Sequence, residues 1–515
     1  MKSLRTWRVA LAVLGLVLAG DALSISALAG GPGDFDSDGD RDLDDVRVVV
    51  ACLHGPAVDA ANECASADFA FDAHVDLRDF ASLQNNYSPW VRIVSTSPLN
   101  GDSGVALTRE TTINLSGVID PTTVSADNVF AVFGGARLAA RVSPTPDGKR
   151  IKLFYDPPLP AAARIRVTVN GDEIVDEFGQ FLDADGNGAP GGVTFFDFDS
   201  CTSAIIPGTV VWGYVMASET GPNGENLPLE GVTIRADGLP DLFAVTDATG
   251  FFAIGGALAG PQDCNHPGVS RPGVPAPEFF VHVDGTTVTS VGGQPVPPGG
   301  FYPNVGKPFH SVAGQCIQIS MGAPFNIHLP FIANESFVAV MPGEETILQP
   351  VPAAIDRFTE LFPDADPKLF EMMQVTIPAG SLTNDDGTPG ELAGIFPVDS
   401  SRLPAPLPPG VSHAFDITIQ SDAPNFEIPA PVCFPNLPDP DTGQPLPPRS
   451  KSALFSFNHD TGHWQINGSM TVSDDGLQIC SNEGVGILAP GWHGTQPGTS
   501  GSGGPIGCGG PPPGP

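Results

Sequence analysis

Glycine occurs 61 times and proline 55 times in the 515 residues, and this spacing constrains the chain more than any other feature. Glycine loosens the backbone and proline removes a donor, so either one interrupts a long helix. Short alternating runs lie between them. Thr111-Thr-Ile-Asn-Leu115, Arg150-Ile-Lys-Leu-Phe154 and Arg164-Ile-Arg-Val-Thr-Val169 each place apolar residues at every second position, as a strand with one buried face requires. Turn clusters such as Pro146-Asp-Gly148 separate them. With 16% charged and 41% hydrophobic residues the composition is globular. The expected fold class is mainly β, with tandem β-sandwich domains behind a small N-terminal α-helical domain. The length suits three or four domains, read as beads joined by Pro/Gly turns.

The helical exception begins at Asp34-Phe-Asp-Ser-Asp-Gly-Asp-Arg-Asp-Leu-Asp-Asp45. Carboxylates stand at positions 1, 3, 5, 9 and 12 of a twelve-residue loop, with Gly39 sixth. A hard cation takes six or more oxygens, and a tight turn aims alternate side chains inward. A solvated acidic linker is the alternative. A second loop, Asp68-Phe-Ala-Phe-Asp-Ala-His-Val-Asp-Leu-Arg-Asp79, keeps carboxylates at positions 1, 5, 9 and 12 but has Ala70 third and Ala73 sixth. An apolar stripe at helical spacing follows each loop: Leu43, Val46, Val50 and Leu53, then Leu77, Phe80 and Leu83. The expected calcium ligands are Asp34, Asp36, Asp38, Asp40, Asp42 and Asp45, then Asp68, Asp72, Asp76 and Asp79.

Two calcium loops in tandem, each opening into a helix, resemble a dockerin domain, the EF-hand-like docking module of polysaccharide-degrading assemblies. The resemblance implies that Ca2+ holds the helices. It also implies that loop positions 10 and 11 (Leu43 and Asp44, Leu77 and Arg78) face a protein partner.

Residues 1–29 read as a secretory signal. Lys2, Arg5 and Arg8 precede an apolar run, and Ala27-Leu28-Ala29 is a small-x-small cleavage site. No later stretch approaches a membrane span. The formal charge of −35 argues against nucleic acid, whose phosphates it would repel. It suits an exported protein that gathers calcium, or one adapted to salt. Eight cysteines in an exported chain point to disulfides. Cys52 with Cys64, and Cys433 with Cys480, are the expected pairs; Cys201, Cys264, Cys316 and Cys508 stay unassigned. Zinc is the competing use, but no Cys-x-x-Cys or Cys-x-x-His spacing occurs.

Residues 90–201 carry Ser95-Thr-Ser-Pro-Leu-Asn-Gly101, Ile119-Asp-Pro-Thr-Thr-Val124 and Val167-Thr-Val-Asn-Gly171. This order resembles the bacterial Ig-like domains of S-layer and other surface proteins, usually spacers. Within it, Asp183-Ala-Asp-Gly-Asn-Gly188 repeats half a calcium loop and reads equally as a plain turn. The overlapping Gly186-x-Gly-x-x-Gly191 is no dinucleotide site, since Pro190 interrupts it and no strand or helix flanks it. In residues 205–340, Pro228-Leu-x-Gly-Val-Thr-Ile234 followed by Thr246-Asp-x-x-Gly-x-Phe252 resembles the carboxypeptidase regulatory-like domain. The resemblance implies a transthyretin-like sandwich in which Thr246, Asp247 and Gly250 shape a turn. Residues 341–494 mix a helical stretch (Ile355, Phe358, Phe362, Leu369, Met372) with strands. The motif around His459 to Trp464 and Trp492-His493 resembles a β-module of Rhs-type surface proteins. Residues 495–515 form a Gly/Pro-rich tail. With residues 30–89 as the dockerin-like domain, this assigns the whole chain.

No Gly-x-Ser-x-Gly, His-Glu-x-x-His or P-loop occurs. His459, Asp460 and His463 form the closest histidine cluster, read as a hairpin turn or a metal or general-base site. The tryptophans Trp212, Trp464 and Trp492 are sandwich core or sugar platforms. No catalytic residue is nominated. The expectation is a secreted or cell-surface, calcium-binding, non-catalytic multimodular protein that docks a protein partner and binds polysaccharide. The alternatives are a component of a polysaccharide-degrading system, catalytic or accessory, and a structural envelope or adhesion protein.

Overall fold

A computed structural model describes residues 43–53, 64, 67–68, 74–85, 90–266, 268–319, 326–408, 413–439 and 442–496. The signal, five of the six expected first-loop ligands, Asp72 and residues 497–515 lie outside the described residues, while Thr495 and Gln496, read as tail, end the strand Gly491–Gln496. The chain divides into two units, Met1–Pro89 and Trp90–Pro515.

In the first unit, helices Leu43–Cys52 and Leu77–Asn85 follow the two loops. Val49, Cys52, Cys64, Ala67 and Val75 make the core, with Val46, Leu53 and Phe80 partly buried against it. The core stripe differs from the expected one. Val49 is buried where Val50 was expected, and Val50 is 53% exposed. Leu77 is 75% exposed, because the second helix starts there and its first side chain points out of so small a core. The Cys52–Cys64 disulfide closes the unit. Helices of ten and nine residues are too short to persist in water alone.

The second unit opens with two four-stranded antiparallel sheets. One orders Ile93–Ser97, Thr111–Leu115, Arg150–Tyr155 and Ala140–Pro144; the other Ala136–Arg137, Val129–Phe133, Arg164–Asn170 and Val193–Asp199. Ile113, Ile151, Leu153, Ile165, Val167 and Phe198 meet between them. Thr111–Leu115 and Arg164–Asn170 alternate in burial as their sequences do. Arg150–Tyr155 does not: Arg150 and Lys152 are buried along with Ile151 and Leu153.

A second sandwich follows. Val210–Thr220 is the centre of one sheet, pairing with Phe251–Ile254 and Asn226–Glu230. Phe243–Val245, Thr233–Ala236, Glu278–Asp284 and Asn304–His310 form the other. Its turn at Asp247 follows the expected chemistry. The Asp247 carboxylate accepts from the Thr249 and Phe251 amides, and the Thr246 hydroxyl donates to the Leu229 carbonyl. Gly250 sits at φ +75, where a Cβ would stand 2.4 Å from the Val215 carbonyl oxygen. The Cys264–Cys316 disulfide ties this region.

The last module is a ten-stranded antiparallel sheet. It runs from Val338–Ala339 through Leu392–Val398, Phe415–Ser421, Gly491–Gln496, Lys451–Asn458, His463–Val472, Gln478–Ser481, Val432–Pro435 and Gln374–Ile377 to Thr346–Leu348. Helices Pro352–Leu361 and Lys368–Glu371 stack Phe358 and Phe370 on Phe415. In and just after the helix Lys368–Glu371, Phe370 and Met373 are the buried positions rather than Leu369 and Met372. Cys433 and Cys480 face each other across neighbouring strands and are bridged, as expected.

These modules are not separate beads. Val398, Leu403, Ala405, Phe455, Phe457, Trp464 and Trp492 of the last module share one hydrophobic core with Val215, Ile234, Phe279, Val305 and Phe309 of the second sandwich. The alternation that identifies each strand is silent about which module covers its outer face. Among the described residues no helix is long and apolar enough to cross a membrane.

Candidate functional site

The N-terminal unit supplies the first candidate. Asp45 and Asp79, at position 12 of the two loops, are buried to 1% and 0% exposure. Carboxylates enter so small a core only when paired or coordinating a metal. Asp76, at position 9, is buried too. Its Oδ1 accepts from the Arg78 amide at 2.7 Å, and its own amide donates to Asp79 Oδ2 at 2.8 Å, a reciprocal cap at the helix start. Asp68 is half-buried. Asp34, Asp36, Asp38, Asp40, Asp42 and Asp72 lie outside the described residues. Among the described residues no three His, Cys, Asp or Glu side chains converge as a metal site. The described donors fit a calcium ion in kind, being carboxylate oxygens with a helix opening directly behind them.

Both lesser motifs form hydrogen-bonded turns. Asp183 Oδ1 and Oδ2 accept from the amides of Asn187 and Gly188 at 3.1 and 2.9 Å, so its carboxylate closes the loop itself. At the His459 hairpin, Asn458 Oδ1 accepts from the Asp460 and Thr461 amides, and Gly462 N donates to the Asn458 carbonyl. The His459 ring packs between Phe457 and Trp492, and burial pushes it down to about 4.

A second candidate was invisible in the sequence. A cavity of about 410 Å³ is lined by Phe362, Asp364, Asp399, Ser400, His413 and Leu437, among others. His413 Nδ1 donates to Asp416 Oδ1 at 2.7 Å, both side chains being fully buried. The ring packs against Phe455 and Trp464. His413 Nε2, Asp416 Oδ2 and Ser400 Oγ are buried with no hydrogen-bond partner. On the adjoining strands His493 Nδ1 meets Ser456 Oγ at 2.8 Å, and Asn467 donates to the same hydroxyl. Burial, with His459 beside it, pushes His493 down to about 3. No spacing or periodicity in the sequence marks this grouping.

The third candidate lies where the first sandwich meets the last module. Lys152 Nζ stands 3.1 Å from Asn425 Oδ1 and 3.7 Å from Glu427 Oε1. Arg150 donates to the Glu427 carbonyl, and Arg141 Nε donates to the Asp385 carbonyl at 2.8 Å. Nearby, burial and then the charge of Asp460 push Glu110 up to about 7, against the pull of Lys152 and Arg109. Burial raises Asp460 as well. Between about pH 4.5 and 7 the folded form therefore holds a Glu110 proton that the unfolded chain releases. Its contribution is full below that window and lost as pH rises through about 7. Glu110→Gln should raise the melting temperature above pH 7 and flatten its decline across the window. Calorimetric scans of both proteins through that range check this, and parallel pH profiles would refute it.

Of the three tryptophans considered as sugar platforms, Trp464 and Trp492 are core residues. Trp212 is half-buried beside Tyr214 and Phe251.

Residues 88–198 match the family model of the bacterial Ig-like domain, and the first sandwich is such a domain. No curated protein matches the sequence. Among solved structures, the chain is similar to PcoC, a methionine-rich copper resistance protein from Escherichia coli, at 18% identity and TM-score 0.17, over 22% of this chain and 98% of that one. It is also similar to the N-terminal part of the bacterial S-layer protein SbsC, at 12% identity and TM-score 0.19, over 45% and 46%. Domains 1–6 of SbsC match at 10% identity and TM-score 0.20, over 77% of this chain and 41% of that one. The chain thus spans less than half of either S-layer fragment.

Proposed function

We propose that this is a secreted or cell-surface, non-catalytic, calcium-binding protein whose dockerin-like head attaches it to a protein partner. The β-modules behind the head are its cargo, with polysaccharide as their ligand. One contrast carries the reading. In the second loop Asp79, the twelfth position, is fully buried, while Leu77, the tenth, is 75% exposed. That is the division of labour a docking loop needs: the carboxylate turned in toward an ion, the apolar side chain turned out toward a partner. Val48 and Val50 of the first helix are exposed as well. Three disulfides among the described residues suit an oxidising, extracytoplasmic compartment. The test is a pull-down from the secreted fraction with the full chain, in calcium and in chelator, beside Leu77→Asp. A partner retained in calcium, released by chelator and lost with Leu77→Asp supports docking. Retention indifferent to both rejects it.

The His413 cavity favours a second reading, a catalytic component of a polysaccharide-degrading system. Asp364 and Asp399 line it, and glycoside hydrolysis uses two carboxylates. An activity screen on polysaccharides with Asp364→Asn, Asp399→Asn and His413→Asn decides between the two. Turnover abolished by these changes would replace the first reading.

A further inference from the structure

We infer that Lys152 and Asn425 join as an intramolecular isopeptide bond, formed with the help of Glu427, that welds the Ig-like domain to the last β-module. All three side chains are buried, at 4%, 5% and 5% exposure, where a long cationic side chain is rarely found. They come from different modules: Lys152 from Arg150–Tyr155, Asn425 from the short strand Asn425–Phe426, and Glu427 from just beyond it. Lys152 Nζ is 3.1 Å from the carboxamide oxygen of Asn425 and 3.7 Å from Glu427 Oε1. Thr383 Oγ1 donates to that same Oε1 at 3.0 Å, while Oε2 is buried with no partner. The orientation of the amide is fixed by its other end. Asn425 Nδ2 donates to Asp385 Oδ1 at 2.8 Å and to the Thr383 carbonyl at 3.3 Å, leaving Oδ1 toward the lysine.

The arrangement supplies each part of an amide exchange. Glu427 takes a proton from the lysine ammonium, which converts a buried ion pair into a neutral pair and frees the amine lone pair. A turn about the lysine Cδ–Cε bond brings Nζ from the oxygen toward Cγ of Asn425. The Nζ–Cγ bond forms and the Cγ–Nδ2 bond breaks. The protons shed by Nζ pass through Glu427 to Nδ2, which departs as ammonium and leaves Glu427 a carboxylate again. No oxidant or external reactant is needed. The burial holds nucleophile and electrophile at contact distance in a dry site, which replaces an intermolecular encounter. The departing nitrogen already faces Asp385, an exposed residue at the edge of the site.

A hydrogen-bonded contact alone is the competing outcome, and mass separates the two. The intact, reduced full chain should weigh less than its sequence by one ammonia. A digest should contain one branched peptide joining Lys152 to Asn425. A succinimide at an Asn-Gly step such as Asn187-Gly188 loses the same mass but joins no peptides. Lys152→Arg and Glu427→Gln should both restore the full mass, the second while keeping both reacting side chains. Wild-type protein of full mass, with unmodified Lys152 and Asn425 peptides, overturns the inference without recourse to any variant.

Discussion

Trp492→Ala should unfold two modules, not one, at a cost of about 3–5 kcal/mol. The side chain is fully buried, its ring 6.3 Å from that of Phe457 and 5.4 Å from that of His459. It belongs to the core that the second sandwich and the last module share. The lost dispersion and burial, and the cavity left behind, therefore act on both sides of that core. Hydrogen exchange reads the effect by segment. Peptides from Val210–Thr220 and Glu278–Asp284 should lose protection together with those from Lys451–Asn458. Loss confined to the last module would mean that the shared core does not couple them. Trp492→Phe should cost less, since it keeps an aromatic ring and removes an indole N–H that has no partner.

Chelating calcium should abolish exchange protection in Leu43–Cys52 and Leu77–Asn85 and leave residues 90–496 unchanged. The unit has a five-residue buried core, two short helices and one disulfide among its described residues. Such a small core seldom suffices without a metal or further cross-links. Asp45 and Asp79 are buried, and removing the proposed ion would take away the charge that offsets theirs. Asp34→Ala and Asp45→Ala should reproduce the chelated state in calcium. Protection that survives chelation would leave the disulfide and the capping of Asp76 as the only staples required.

The β architecture was legible wherever a strand has one face in water. Thr111–Leu115 and Arg164–Asn170 read directly from alternation, and the turn at Asp247 from its residues. Legibility failed where one module covers another. Arg150-Ile-Lys-Leu-Phe154 looks like a half-exposed strand because arginine and lysine normally mark solvent, yet both are buried against the last module. The partners of Lys152 lie 273 and 275 residues away, beyond any local pattern. His413 and Asp416 are three residues apart, but only the register of the sheet sets them beside Gly494 and the cavity. In the head, spacing located both helices, yet helix rotation against so small a core moved the buried position from Val50 to Val49.

Equilibrium dialysis of the full chain against calcium tests the proposed calcium site of the head most directly. Saturable binding with a dissociation constant of about 10⁻⁴–10⁻³ M, the range of extracellular modules, is the expected result. The Asp34→Ala, Asp45→Ala double variant should lose the tighter site. Binding that never saturates, or that the double variant retains in full, would contradict the account.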